Sequence, residues 1–264
     1  MKEESTRDYP ASKLIADKHI AIVDRIAIEQ PVVISLDGTE LVTLLCTPTD
    51  LDALAVGYLA SERYIVEVGD VNRIEVDENG SSVLVATRSQ RGRALETAGA
   101  AVITSGCGGG RTSRDLAGLA SAWRIGDGVT VSARDIRSWM KEFAVRSTVF
   151  HETGGVHSAA VHVGTRTAAF SEDVGRHNAV DKVLGRAMLD GVPTARAVVL
   201  TSGRISSEVV VKCAVQRVSI VVSRAAATSL ALELAEQVGL TVVGFTRGRR
   251  MTVYTHHGRV RSGT

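Results

Sequence analysis

Hydrophobic and polar positions along this chain switch between two periods. Over 31–36 and 40–45, apolar runs flank Asp37-Gly38, the pattern of two strands joined by a tight turn. Leu51, Leu54, Ala55, Tyr58 and Leu59 then recur at helical spacing, which predicts a helix capped by Thr49 with Asp50 and Asp52 in its first turn. Short strands are expected near 73–76 and 82–85. From 99 to 113 periodicity lapses and five glycines appear; apolar structure resumes on both sides, so this stretch is a loop rather than a linker. Ser132, with Asp135 three residues later, opens a helix through Phe143 and beyond.

Strands and helices alternate after that point. Strands are expected at 159–163 and 166–171, a helix at 178–189, a strand at 197–201, a helix at 205–217 and a strand at 218–222. A helix at 229–238 and strands at 241–245 and 251–255 complete the series. Val209-Val210-Val211 is β-branched and argues against the helix that contains it. Short strands separated by helices imply a layered α/β domain. The division expected is a frayed N-terminus over 1–20, a small β-rich part over 21–100, a Cys-bearing loop and connector over 101–130, and the α/β domain over 131–264.

Composition narrows this picture. The chain has 264 residues, enough for one large domain or two small ones with a real core. Aromatics make up only 4%, and an interior of small aliphatic side chains suits β-α layering. A formal net charge of +2 argues against a nucleic-acid partner, so any anion site must come from local clustering. No apolar run approaches the ~20 residues of a membrane helix, and residues 1–14 lack the apolar segment of a signal peptide. Three cysteines form no disulfide framework; reduced thiols and a cytosolic setting are expected.

Five stretches could carry chemistry. Cys107 lies among glycines, where backbone freedom lets it approach a partner, and Arg111 and Arg114 would favour its thiolate. Cys46 and Cys213, within apolar runs, read as core. His151-Glu152-Thr153-Gly154-Gly155-Val156-His157 reads as a loop that could supply acid/base groups; its spacing does not match a zinc motif, and no Cys-x-x-Cys accompanies it. Glu172-Asp173-Val174-Gly175-Arg176-His177-Asn178 leads from a strand into a helix, the place where α/β sheets bind ligands. Ser202-Gly203-Arg204, followed by Ser206, Ser207 and Glu208, could form an anion cradle or a plain helix cap. Phe245-Thr246-Arg247-Gly248-Arg249-Arg250 holds the densest cluster of arginines, whose forked donors suit phosphate.

Taken together, these stretches resemble the FdhD family of formate dehydrogenase accessory sulfurtransferases, from about Asp24 to His256. The resemblance implies a cytidine-deaminase-like three-layer α/β/α domain with a smaller β-rich N-terminal part. It implies a cytosolic sulfur carrier that takes sulfur from a cysteine desulfurase as a persulfide on Cys107. The carrier passes that sulfur to the molybdenum (or tungsten) bis-molybdopterin guanine dinucleotide cofactor used by formate dehydrogenase. Phe245 to Arg250 match the family's cofactor-binding segment; Ser202, Gly203 and Arg204 are expected to assist there, and His157 and His177 to handle protons. Neither an intrinsic metal nor a nucleic-acid or membrane partner is expected, and family members are often dimeric. One departure stands out: many members carry Cys-x-x-Cys in the loop, and here the second position is Gly110. That leaves a competing reading, a non-catalytic chaperone that binds the cofactor for formate dehydrogenase.

Overall fold

The computed structural model of the chain describes residues 4–89, 101–103, 123–126 and 129–262. Its centre is a six-stranded sheet built from β9 (His157–Val163), β10 (Arg166–Asp173), β11 (Val198–Thr201), β12 (Ile220–Ser223), β13 (Thr241–Arg247) and β14 (Arg250–Val253). The strand order is β10-β9-β11-β12-β13-β14, with β11, β12 and β13 parallel and the remaining pairs antiparallel.

Alternate residues of these strands face opposite layers. Val199, Val221 and Val242 pack beneath α4 (Arg176–Leu189), α5 (Ser207–Val215) and α6 (Ser229–Val238). Val198, Leu200, Ile220, Val222 and Val243 point the other way, onto Ile136, Trp139, Met140 and Phe143 of α2 (Ala133–Arg146). The expected three-layer α/β/α domain is therefore present. The valine triplet at 209–211 lies inside α5 and is buried, so packing overrides its weak helix propensity.

The N-terminal part is β-rich, as expected. β3 (Gln30–Leu36), β4 (Thr39–Cys46), β5 (Val71–Val76), β6 (Ser82–Thr87) and β7 (Ala101–Ile103) form a sheet over α1 (Leu51–Ser61). Asp37 and Gly38 turn the β3-β4 hairpin with φ of 50° and 87°, conformations an Asp-Gly pair tolerates. A short pair, β8 (Val131–Ser132) with β15 (Val260–Arg261), brings the C-terminal segment back to the start of α2.

Helices α1 and α4 join the two parts at a glycine crossing. A Cβ at Gly57 would collide with the backbone carbonyl of Asp181, and one at Gly185 with that of Ala53. A glycine inside a helix costs about 1 kcal/mol against alanine, and here it permits the close approach of two backbones. Two buried ion pairs flank the crossing: Lys182 with Asp173 at 2.7 Å, and Lys212 with Asp181 at 2.7 Å. Lys182 also donates to the carbonyl of Thr47, which ties β10 and α4 to the end of β4.

Three expectations need correction. The N-terminus is not frayed: β1 (Thr6–Ile15) and β2 (Lys18–Ala27) pair along their full length. Their apolar residues are spread over both faces, so no one-sided alternation marks them as strands. Thr49 does not cap α1; Asp50 is the N-cap, with φ 51°, and its carboxylate accepts the Ser171 hydroxyl at 2.7 Å. The stretch read as a loop at 151–157 begins inside a short helix, α3 (Thr148–Thr153). The backbone N–H groups of Val149 and Phe150 donate to Glu172 at 2.9 and 3.0 Å. A cap contributed from another strand leaves no local signal.

Candidate functional site

The carboxyl ends of β10, β11, β12 and β13 lie along one edge of the central sheet, together with the amino end of antiparallel β9. In sheets of this kind ligands bind at that edge, where strand order reverses. Two clusters of polar side chains occupy it.

The first cluster sits where α4 and α5 begin. Ser202 Oγ accepts the backbone N–H of Ser158 at 3.0 Å, leaving its own proton for His157 Nδ1 at 3.2 Å. His177 Nε2 lies 2.9 Å from Glu208 Oε2 and 3.0 Å from Ser206 Oγ. This hydrogen bond from His177 is the main reason the Glu208 carboxyl is held below its ordinary range. Burial, then the charges of Arg176 and His177, push His157 down, so it rests as a neutral imidazole. The Arg176 stem lies against Gly203, where a Cβ would come within 2.8 Å of it. His157, His177 and Ser202-Gly203-Arg204 are thus brought together, with the Arg204 side chain exposed.

The second cluster is a groove of about 520 Å³ between α2 and the β13-β14 hairpin. Thr246, Arg247, Gly248 and Arg249 line one wall, Arg224 contributes from the end of β12, and Arg134, Arg137 and Lys141 line the α2 wall. Among the described residues no acidic side chain lines it, and none of these six cations is held in an ion pair. Arg247 Nε donates to the carbonyl of Arg224 at 2.9 Å, which fixes the stem and leaves the rest of the fork to the groove. Thr246 is 3% exposed and its Oγ1 has no partner among the described residues. An unsatisfied buried hydroxyl costs about 1–3 kcal/mol, so the groove offers a donor in addition to its charge.

Phe245 stands at the bulge that sets this hairpin, with φ 50° and an exposed ring. A bulky residue in the left-handed region is uncommon and costs on the order of 1–3 kcal/mol, a strain often found at binding sites. Arg250 opens β14 and does not line the groove.

Other candidates go elsewhere. Cys107, Arg111, Arg114 and Gly110 lie outside the described residues. His151 bonds the Ala144 carbonyl at 2.7 Å and Glu152 meets Arg25 at 3.5 Å, so neither joins His157 in an acid/base pair. Glu172 and Asp173 are absorbed by the fold: Asp173 takes N–H groups from Thr47, Gly175 and Asn178 besides Lys182. Cys46 and Cys213 are buried, and burial pushes each thiol up to about 12, which makes them inert core residues as expected. Among the described residues there is no group of His, Cys, Asp and Glu that could hold a metal ion. No described helix is long and apolar enough to cross a membrane.

The α2 wall was missed in the sequence. Arg134, Arg137 and Lys141 fall at i, i+3 and i+7, one helical face, which on its own looks like a solvated surface.

Residues 27–261 match the model of the FdhD/NarQ family. The chain belongs to the FdhD/NarQ family. A protein of Wolinella succinogenes named sulfur carrier protein FdhD is 40% identical over 88% of this chain and 81% of its own length. A Bacillus licheniformis protein of the same name is 38% identical over 90% of both chains. The crystal structure of a Desulfotalea psychrophila protein described as a formate dehydrogenase accessory protein superposes with a TM-score of 0.81. It is 25% identical and covers 98% of this chain and 100% of its own. Family membership and the mixed α/β fold agree with the resemblance read from the motifs.

Proposed function

We propose that this chain is a sulfur carrier serving formate dehydrogenase, accepting sulfur on Cys107 and delivering it to a guanine-dinucleotide molybdenum or tungsten cofactor held at the β13-β14 groove. The observation that carries the cofactor half is the set of six cations around the Thr246 hydroxyl, none of them paired among the described residues. Arginine forks match phosphate oxygens in pairs, and like charges gathered round a groove repel until a polyanion neutralises them. A pyrophosphate-bearing nucleotide has the charge and the acceptors for this wall. The exposed ring of Phe245 offers a face for its base.

The sulfur half rests on Cys107 and on family kinship. The Cys107 thiolate attacks the outer sulfur of a persulfide on the desulfurase. The donor S–S bond breaks, a new one forms on Cys107, and the desulfurase cysteine leaves as a thiolate. No electron is gained or lost overall. With glycine at position 110, onward transfer proceeds without a neighbouring loop thiol, and Cys46 and Cys213 are too deeply buried to substitute. In the first cluster, neutral His157 can accept a proton and the exposed Arg204 can meet an anion at the same sheet edge.

The test is incubation with a cysteine desulfurase and cysteine, followed by assay of cyanide-labile sulfur, in parallel with calorimetric titration of GDP. Stoichiometric labile sulfur on the wild-type chain, lost in Cys107→Ser, together with GDP binding in both, is the expected result. Absence of labile sulfur with GDP binding intact would overturn the carrier reading in favour of a cofactor chaperone, the reading Gly110 favours. Absence of GDP binding would remove the groove from the proposal.

A further inference from the structure

The wall that α2 gives the groove runs against two ordinary preferences of a helix. Arg134 sits in the first turn, where the positive end of the helix dipole disfavours a cation. Arg137 and Lys141 follow it, so like charges stand three and four residues apart on one face, a spacing that also destabilises. Together the three charges span about 10 Å along the helix axis. The layer beneath does not need them, since Ile136, Trp139, Met140 and Phe143 do the packing. Two acids share this part of the helix, Asp135 and Glu142, and neither lines the groove; Glu142 accepts the hydroxyl of Ser138 at 3.3 Å.

Across the groove the chemistry is the same. Arg224, Arg247 and Arg249 complete the set, with Arg247 Nε anchored on the carbonyl of Arg224 at 2.9 Å. Among the described residues, every charged side chain of the lining is a positive donor. A site that takes a nucleotide as its magnesium complex is built the other way, with one or two carboxylates holding the ion beside the phosphates. Magnesium on a diphosphate also cancels two of its negative charges and so weakens its attraction to each cation of the lining. It occupies, besides, oxygens that arginine forks would otherwise take. An ion held on phosphates between these walls would face the α2 cations at close range, where like charges repel.

We propose that Arg134, Arg137 and Lys141 do here what a magnesium ion does in other nucleotide sites: they supply the second wall of counter-charge, so that the groove selects a metal-free diphosphate and magnesium opposes binding. The role rests on the groove being the nucleotide site, and it adds the form of the ligand and the residues that choose that form. Arg247 and Arg249 hold the phosphates in either form. The α2 wall decides between the two.

Calorimetric titration of GDP into the full-length chain tests this, once in EDTA and once in saturating magnesium, with sodium chloride adjusted to equal ionic strength. Wild-type affinity should be at least about tenfold higher in EDTA. The second protein is Arg134→Ala with Lys141→Ala; both positions are exposed, and an unchanged melting curve verifies folding. Its affinity in EDTA should fall about tenfold while its affinity in magnesium moves by less than about threefold, so the two conditions converge. Wild-type binding that is equal or tighter in magnesium, or a double variant that keeps the full difference, would overturn the proposal with the nucleotide site left standing. GDP that binds in neither buffer would overturn the nucleotide site and this role with it.

Discussion

Two regions of this molecule are rich in charge and use it in opposite ways. Between α1, α4 and α5, each lysine has its carboxylate: Lys182 with Asp173, Lys212 with Asp181, the partners buried and the remaining lone pairs taken by backbone and hydroxyl groups. In the groove between α2 and the β13-β14 hairpin, six cations have no ion-pair partner among the described residues. Charge satisfied from within belongs to the fold. Charge left unsatisfied at a sheet edge is available to a ligand, and its mutual repulsion is a cost the fold bears for binding.

That contrast predicts different readouts for the two regions. Replacing Lys182 with Met strands the Asp173 carboxylate in the interior and should cost about 3–5 kcal/mol, read as a large drop in thermal or urea midpoint. Retained stability would show that the buried pair is not what holds the two parts together. In the groove the order reverses. Arg247→Ala with Arg249→Ala should weaken GDP binding at least about tenfold while leaving stability within about 0.5 kcal/mol of wild type. Arg134→Ala or Lys141→Ala on the α2 wall should cost only a few-fold each, with a shallower dependence of affinity on salt. Equal loss of stability in the groove variants would erase the distinction.

A last expected effect concerns pH. Burial holds His162, stacked on Trp139, down to about 4 against an ordinary 6.5. The unfolded chain therefore takes up a proton that the folded chain refuses. Stability from this group is complete above pH 6.5 and falls as pH drops from 6.5 toward 4. His162→Gln should flatten that slope in melting temperatures measured across the window. An unchanged slope would assign the acid sensitivity to other groups, among them His157, which burial shifts in the same direction.

Much of this was legible in the chain itself. The helix at Ser229–Val238 and the Asp37-Gly38 hairpin follow from periodicity and turn chemistry that lie within a few residues of one another. The arginines at 247 and 249 stood out because nothing in a simple hairpin turn asks for them. Less was legible where partners come from afar. Helix α3 is capped by Glu172 from β10, so local patterning shows only a glycine-bearing loop. The N-terminal ribbon has apolar residues on both faces, and a two-sided strand looks like no strand.

By itself, then, the sequence determined the kinds of elements, the family motifs, and which side chains had the chemistry for sulfur or phosphate, because these depend on residue identity and short-range spacing. Only the tertiary structure decided which of those charges are neutralised. Asp173 and Arg247 look equally available in one dimension. A lysine arriving from α4 consumes the first, and among the described residues no carboxylate pairs with the second. Whether a charged group is part of the scaffold or part of the site depends on its neighbours in space, and those are set by packing.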